Sequence, residues 1–265
     1  MFDRFERRID YLRISVTDRC NLRCAYCMPA AGIELRRHED LLTYEEIAAF
    51  VGVAVELGIT RVRLTGGEPL VRRDLAALVA KLAAVAGLND LALTTNGILL
   101  PQQAGALAAA GLMRVNISLD AIDPGRYAEI TRGGDVRQAL AGIAAALSAG
   151  LAPVKLNCVI DQSPDEPDAR DVAAYGRQVG CEVRFVRRMD LKAGVFAKVI
   201  GGEGGDCPRC NRLRLTSDGR LRPCLFHDLE YDVRALGAEA ALRLAIAGKP
   251  AAGGCSGATM TSIGG

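Results

Sequence analysis

The sequence predicts an α/β fold: a partial barrel of six parallel strands and their helices, with a C-terminal segment packed over the open side. Three observations lead there. Short β-branched runs alternate with alanine- and leucine-rich runs from residue 11 to about residue 189. The helical runs stop at Gly58, Gly87, Gly111, Gly150 and Gly180, as helix C-termini commonly do. The chain has 265 residues, half of them hydrophobic, which is enough for one sizeable core.

In chain order, the strands are expected at 11–17, 61–65, 91–95, 114–119, 153–160 and 182–189. Helices are expected at 44–57, 75–86, 136–149 and 170–179, where apolar residues recur every three and four positions. Strand–helix repeats of this kind imply parallel strands with right-handed crossovers. Six repeats are too few for a closed eight-stranded barrel, and in open sheets ligands bind at the carboxyl ends of the strands. Cys20 follows the first strand, Gly66-Gly67-Glu68-Pro69 the second, Thr94-Thr95-Asn96-Gly97 the third and Ser118-Leu119-Asp120 the fourth. After Met189 the repeat dissolves into a glycine-rich stretch at 201–205, a second cysteine group and a final helix near 233–247. The organisation expected is a barrel over 1–189 and a C-terminal segment over 190–265.

Composition narrows the function. The net charge is only +2, with no block of like charge, so neither nucleic acid nor a membrane surface is an expected partner. The first ten residues lack the apolar core of a secretory signal and no apolar run is long enough to span a bilayer, so a cytoplasmic protein is expected. Nine cysteines in a reducing compartment point to metal or redox chemistry rather than disulfides. Six fall in two triplets: Cys20, Cys24 and Cys27, and then Cys207, Cys210 and Cys224.

The first triplet has the spacing C-x3-C-x2-C. Three close thiolates can hold three irons of a cubane cluster and leave the fourth iron open to a small-molecule chelator. Structural zinc would want a fourth protein ligand, and the nearest histidine, His38, is off-pattern. Tyr26 places an aromatic ring between the second and third cysteines, and Gly66-Gly67 would let backbone approach a ligand closely. The triplet with its aromatic residue, together with Gly66-Gly67-Glu68-Pro69, resembles the radical S-adenosylmethionine (SAM) superfamily. That resemblance implies a TIM-type partial barrel and a [4Fe–4S] cluster that reductively splits SAM into methionine and a 5′-deoxyadenosyl radical.

The second triplet, C-x2-C-x13-C, could also be a zinc knuckle completed by His227. Arg212 and Arg214 lie two apart beside it, so in an extended segment both guanidinium groups face the same way, as anion recognition requires. Arg13, Arg61, Arg63, Lys155 and Arg184 lie in or beside the strands. Cations pointing into a barrel are costly unless something anionic binds there, so the set argues for a polyanion such as a triphosphate.

With these residues in view the chain resembles the GTP 3′,8-cyclases of molybdenum-cofactor biosynthesis, as a shortened member. The stretches that carry the likeness run from Leu12 to Asn21, Arg63 to Leu75, Leu93 to Gly97, Asn116 to Asp123 and Cys210 to Gly219, and end on Ile263-Gly264-Gly265. The resemblance implies two [4Fe–4S] clusters, on Cys20, Cys24 and Cys27 and on Cys207, Cys210 and Cys224. It implies SAM contacts from Tyr26, Gly67, Ser118 and Met189, and GTP contacts from Arg13, Arg63, Thr94, Lys155, Arg212 and Arg214. Arg184 would assist reduction of the nucleotide radical. The radical would take hydrogen from ribose C3′, and the carbon radical would add to guanine C8. The product would be (8S)-3′,8-cyclo-7,8-dihydroguanosine 5′-triphosphate, passed to a cyclic pyranopterin synthase, with an electron donor as a further partner. Family members carry a longer stretch than the seventeen residues found here between Met189 and Cys207, and they usually have an acidic residue at Arg187. A cavity more open than in those relatives, or sealed by a second subunit in a homodimer, is therefore expected, with SAM cleavage poorly coupled to GTP conversion. Two other readings share the cysteines: a peptide-modifying two-cluster maturase, and a non-enzymatic metal-binding scaffold.

Overall fold

The computed structural model describes residues 1–263; the terminal Gly264-Gly265 pair, expected in the active-site cleft, lies outside the described residues. Six parallel strands, β1 (Tyr11–Ser15), β2 (Arg61–Thr65), β3 (Asp90–Thr95), β4 (Arg114–Ser118), β5 (Lys155–Ile160) and β6 (Glu182–Arg187), lie in sequence order. β7 (Arg212–Leu215) then pairs with β1 in parallel, and β8 (Arg220–Arg222) and β9 (Tyr231–Asp232) continue antiparallel. Among the described residues this makes one sheet with β6 and β9 at its edges, so the barrel is not closed. The three added strands were not foreseen. Arg212–Leu215 is too short and too charged to show a strand run by itself, and its pairing with β1 is what holds it extended.

The helices are α1 (Tyr44–Glu56), α2 (Leu75–Ala83), α3 (Leu100–Ala109), α4 (Pro124–Thr131), α5 (Val136–Ser148), α6 (Pro167–Val179), α7 (Val233–Leu236), α8 (Ala238–Ala247) and α9 (Met260–Ile263). α1 starts on a capping box: Glu46 N–H donates to Thr43 Oγ1 at 3.1 Å, and Thr43 N–H donates to the Glu46 carboxylate at 2.7 Å. The single helix expected near 233–247 is broken in two by Gly237, whose φ of 80° is outside the helical range.

Each strand alternates strictly. Leu12, Ile14, Val62, Leu64, Leu91, Leu93, Val115, Ile117, Leu156 and Cys158 are buried under the helices and form the main core. Their neighbours Arg13, Arg63, Thr94, Arg114, Asn116, Ser118, Lys155, Asn157 and Arg184 face the cavity instead. Parallel strands are usually apolar on both faces. A polar inner face must therefore be there for a ligand rather than for packing. Among the described residues, no helix is long and apolar enough to cross a membrane.

The short segment 190–206 forms no long strand, yet it bonds to both sides of the opening. Phe185 on the β6 edge exchanges two backbone hydrogen bonds of 3.0 Å with Ile200, and Arg212 of β7 donates to the Glu203 carbonyl. Gly205, at φ 74°, passes so close to Ala197 that a Cβ would stand 2.0 Å from its carbonyl oxygen. Phe196, Ala197, Val199 and residues 202–206 line the cavity directly.

Candidate active site

A cavity of about 590 Å³ runs through the barrel between two cysteine triplets. Topology separates them. Cys20, Cys24 and Cys27 follow the carboxyl end of β1, whereas Cys210 precedes β7, which is parallel to β1. Cys224 follows the antiparallel β8 and so returns to the end where Cys207 and Cys210 lie. All seventeen residues to which the family resemblance gives a role line this one cavity.

At the β1 carboxyl end, the cysteine loop is docked on the end of α4, with Arg23 and Ala25 N–H groups donating to the Thr131 and Ile130 carbonyls at 3.2 and 2.9 Å. Arg132, held at φ 56°, clamps the loop by donating to the carbonyls of Arg23 and Met28. Tyr26 donates to Asp120 Oδ2 at 2.6 Å, and Asp120 Oδ1 accepts from Val159 N–H at 2.8 Å, which fixes the ring between the cysteines. Burial, then the charges of Asp120 and Cys20, push the Cys24 thiol up to about 12, and burial with the same kind of neighbours pushes Cys27 up as well. Thiolates in such a place need a positive centre between them, and bound iron would supply it. Among the described residues no three His, Cys, Asp or Glu side chains are arranged around a single metal ion. A cubane asks something different, one thiolate at each of three irons.

Gly66 and Gly67 line the cavity and also lie against the chain's own backbone. A Cβ at Gly66 would lie 2.6 Å from the Thr17 carbonyl oxygen and one at Gly67 2.4 Å from that of Arg19. The glycines admit the chain's own cysteine loop, and Gly67 N–H donates to Thr17 O at 2.8 Å. Glu68 then ties the second and third strand ends together. Its carboxylate accepts from Leu70 N–H, Thr95 Oγ1 and Asn96 N–H at 3.0, 2.7 and 2.7 Å. Burial raises this carboxyl to about 7 against those three donors.

The middle of the cavity is cationic. Arg63, Arg13 and Arg214 stand in one row across β2, β1 and β7, and Arg61, Tyr11 and Arg212 in the row below. Burial and then Arg214 hold Arg13 well below its ordinary value, burial lowers Arg63, and burial with Arg212 lowers Arg214 to about 10. The Nε atoms of Arg63, Arg184 and Arg212, Thr94 Oγ1 and Asn116 Oδ1 are buried without hydrogen-bond partners among the described residues. Buried polar groups left this way mark where a ligand's own polar atoms would sit. Two of the expected cations are otherwise occupied: Arg61 pairs with Asp10 at 2.8 Å, and Lys155 with Glu182.

At the other end, Cys207, Cys210 and Cys224 share the cavity wall with Phe196, Leu225 and Phe226. His227, the candidate zinc ligand, is exposed and does not line the cavity, and its Nδ1 accepts from Leu229 N–H at 3.0 Å. His38 is likewise exposed and off the cavity. Sequence reasoning missed Arg114, Asn116, Asn157 and Lys249. The first three were signalled by strict alternation within their strands. Lys249 carried no local signal.

Residues 14–172 match the radical SAM superfamily, to which the chain therefore belongs. Among its sequence relatives is the GTP 3′,8-cyclase of Moorella thermoacetica, 44% identical over 279 aligned positions that take in 88% of this chain and 86% of the relative. The GTP 3′,8-cyclase of Peptoclostridium acidaminophilum is 43% identical over 88% of this chain and 85% of its own. Within the superfamily, the chain is a member of the GTP 3′,8-cyclase family. The aligned length exceeds the 265 residues present, so the Moorella relative carries residues that this chain lacks. Two solved structures show the fold alone. anSMEcpe with bound AdoMet and Kp18Cys peptide has a TM-score of 0.61 and 15% identity over 91% of this chain and 81% of that one. Streptococcus suis SuiB bound to S-adenosylmethionine has a TM-score of 0.60 and 15% identity over 86% of this chain and 63% of that one. Membership of the superfamily implies SAM and one [4Fe–4S] cluster.

Proposed function

We propose that this chain converts GTP to (8S)-3′,8-cyclo-7,8-dihydroguanosine 5′-triphosphate for molybdenum-cofactor biosynthesis. One observation carries the reading: a row of arginines, the buried Arg63 and Arg214 with the half-buried Arg13 between them, lies between two cysteine triplets inside a single cavity. A triphosphate matches the charge and spacing of that row. The likeness to relatives named GTP 3′,8-cyclase favours this over the peptide-modifying reading, which rests on fold likeness alone.

Cys20, Cys24 and Cys27 would hold the cluster that binds SAM, with Tyr26, Gly67, Ser118 and Met189 around the SAM. When bound, that pair supplies hydrogen-abstracting radical chemistry through reductive cleavage of SAM. Cys207, Cys210 and Cys224 would hold a second [4Fe–4S] cluster at the guanine end. Arg13, Arg63, Arg212 and Arg214 orient the triphosphate, Thr94 offers its hydroxyl, and Lys155 must exchange Glu182 for phosphate to take part. Arg184, with its buried Nε directed into the cavity, would assist the closing reduction. Residues 1–189 thus carry the SAM end and 190–265 the second cluster. An electron donor and a cyclic pyranopterin synthase are the partners this reading requires.

Anaerobic incubation with SAM, GTP and a strong reductant, with products identified by mass spectrometry, tests it. The cyclised nucleotide should form together with 5′-deoxyadenosine. Formation of 5′-deoxyadenosine with GTP recovered intact would reject GTP as the substrate.

A further inference from the structure

Lys249 is one of the most deeply buried side chains in the molecule, 1% exposed, although it is an amine. It follows α8 and reaches behind the second cysteine triplet. Its Nζ donates to the Arg212 carbonyl at 2.6 Å and to the Pro223 carbonyl at 2.7 Å. Two carbonyl acceptors converge on this one nitrogen, which holds it in place as a donor. No carboxylate pairs with it among the described residues. The other buried cation nearby is different: Arg7 is neutralised by Asp3 at 2.7 Å and spends its remaining donors on the carbonyls of Cys207, Pro250 and Ala251. A buried ammonium without a carboxylate is costly unless another anion stands beside it. Cys210 and Cys224, which flank the two carbonyls it bonds, would supply that anion as ligands of a cluster.

We propose that Lys249 is a positioning residue of the second cluster: its ammonium clips together the two chain segments that carry Cys210 and Cys224 and offsets the negative charge of the cluster they hold. Arg212 and Pro223, the two carbonyls it bridges, stand two residues after Cys210 and one before Cys224. A cation fixed beside the cluster favours its more negative, reduced state, so Lys249 raises its reduction potential.

The inference rests on the second cluster being present, and the test separates the two. Full-length chain carrying C20A, C24A and C27A is reconstituted anaerobically, so that the remaining cluster is the one on Cys207, Cys210 and Cys224. Its midpoint potential is followed by electron paramagnetic resonance. Lys249→Met should retain iron and shift the midpoint to more negative values. Lys249→Arg, which keeps the charge, should shift it less. An unchanged midpoint in Lys249→Met overturns the proposal. If Lys249→Met does not hold iron, Lys249→Gln is measured in its place, and a parental midpoint in that variant overturns it equally. A parent with Lys249 intact that binds no cluster rejects the two-cluster reading itself.

Discussion

Arg63, Arg13 and Arg214 crowd three positive charges onto adjacent strands, and burial holds each of them below its ordinary value. A bound anion would offset the repulsion among such a set. Arg214→Ala should therefore weaken GTP binding by about ten- to a hundredfold, the effect of losing a charge-assisted contact worth roughly 1.5–3 kcal/mol. Arg63→Met should weaken GTP binding too, while leaving the melting temperature of the nucleotide-free chain unchanged or higher. Calorimetry of nucleotide binding and thermal unfolding check both; a drop in melting temperature with binding intact would make Arg63 a structural residue. Glu68 shows the opposite economy at the same scale. Its carboxyl titrates near 7 in the fold instead of near its usual ~4.3. A raised carboxyl value means that the folded chain binds the proton the unfolded chain has already lost. Stability from this group is thus complete below about 4.3 and falls as pH rises to about 7, by on the order of 3 kcal/mol. Thermal unfolding of the cluster-free chain from pH 4.5 to 8 should show that slope, and Glu68→Gln should flatten it. These residues differ in how far sequence exposes them. Arg13 and Arg63 stood out because charges inside strand runs are rare. Asn116 lies in an equally regular alternation but is uncharged, so only its burial at 1% with an unpartnered Oδ1 shows its place.

At the scale of elements, the six strands of the barrel were legible because apolar residues alternate along each one and glycines close the helices between them. The β7–β8–β9 ribbon was not, since its pairing with β1 is a contact between residues 201 positions apart. α4 was missed for a related reason. Its mean hydropathy is low, yet Asp123 caps it at Arg126 N–H at 2.8 Å and Pro124 opens it, and both are signals that periodicity alone does not weigh. It matters because the first cysteine loop rests on its last turn. The glycine pair after β2 joins this loop from the other side. Gly67→Ala should cost roughly 1–3 kcal/mol, since its Cβ would meet backbone of Asp18 and Arg19 rather than a side chain that could turn away. It should also lower iron retention at Cys20, Cys24 and Cys27. Gly105 in α3 is the matched control: a Cβ there meets nothing within 4 Å, so Gly105→Ala should stabilise by roughly 0.5–1 kcal/mol and leave iron unchanged. Equal losses of stability in both variants, by chemical denaturation, would remove the loop-docking explanation.

For the whole molecule, what decides coupling is whether the cavity excludes solvent between its two ends. Radical intermediates are quenched by water and small solutes, so an open side would let SAM cleavage run without nucleotide conversion. Length alone suggested that outcome, because seventeen residues replace a longer stretch of the family pattern. The folded chain argues otherwise. The segment 190–206 bonds to β6 through Ile200 and to β7 through Glu203, so it joins the two sides of the opening within one chain. Glycine makes that path possible, since Gly205 at φ 74° lies against the Ala197 carbonyl and any larger residue would force the strap outward. A strictly monomeric preparation should therefore yield 5′-deoxyadenosine and cyclised nucleotide in a ratio close to one. Gly205→Ala, which disturbs the strap without touching a cysteine or a cavity arginine, should raise that ratio several-fold while SAM cleavage continues. Both products can be quantified from one anaerobic reaction by mass spectrometry. An excess of 5′-deoxyadenosine already present in the monomeric parent would mean that the strap does not seal the cavity, and the same excess lost on raising protein concentration would assign the seal to a second subunit.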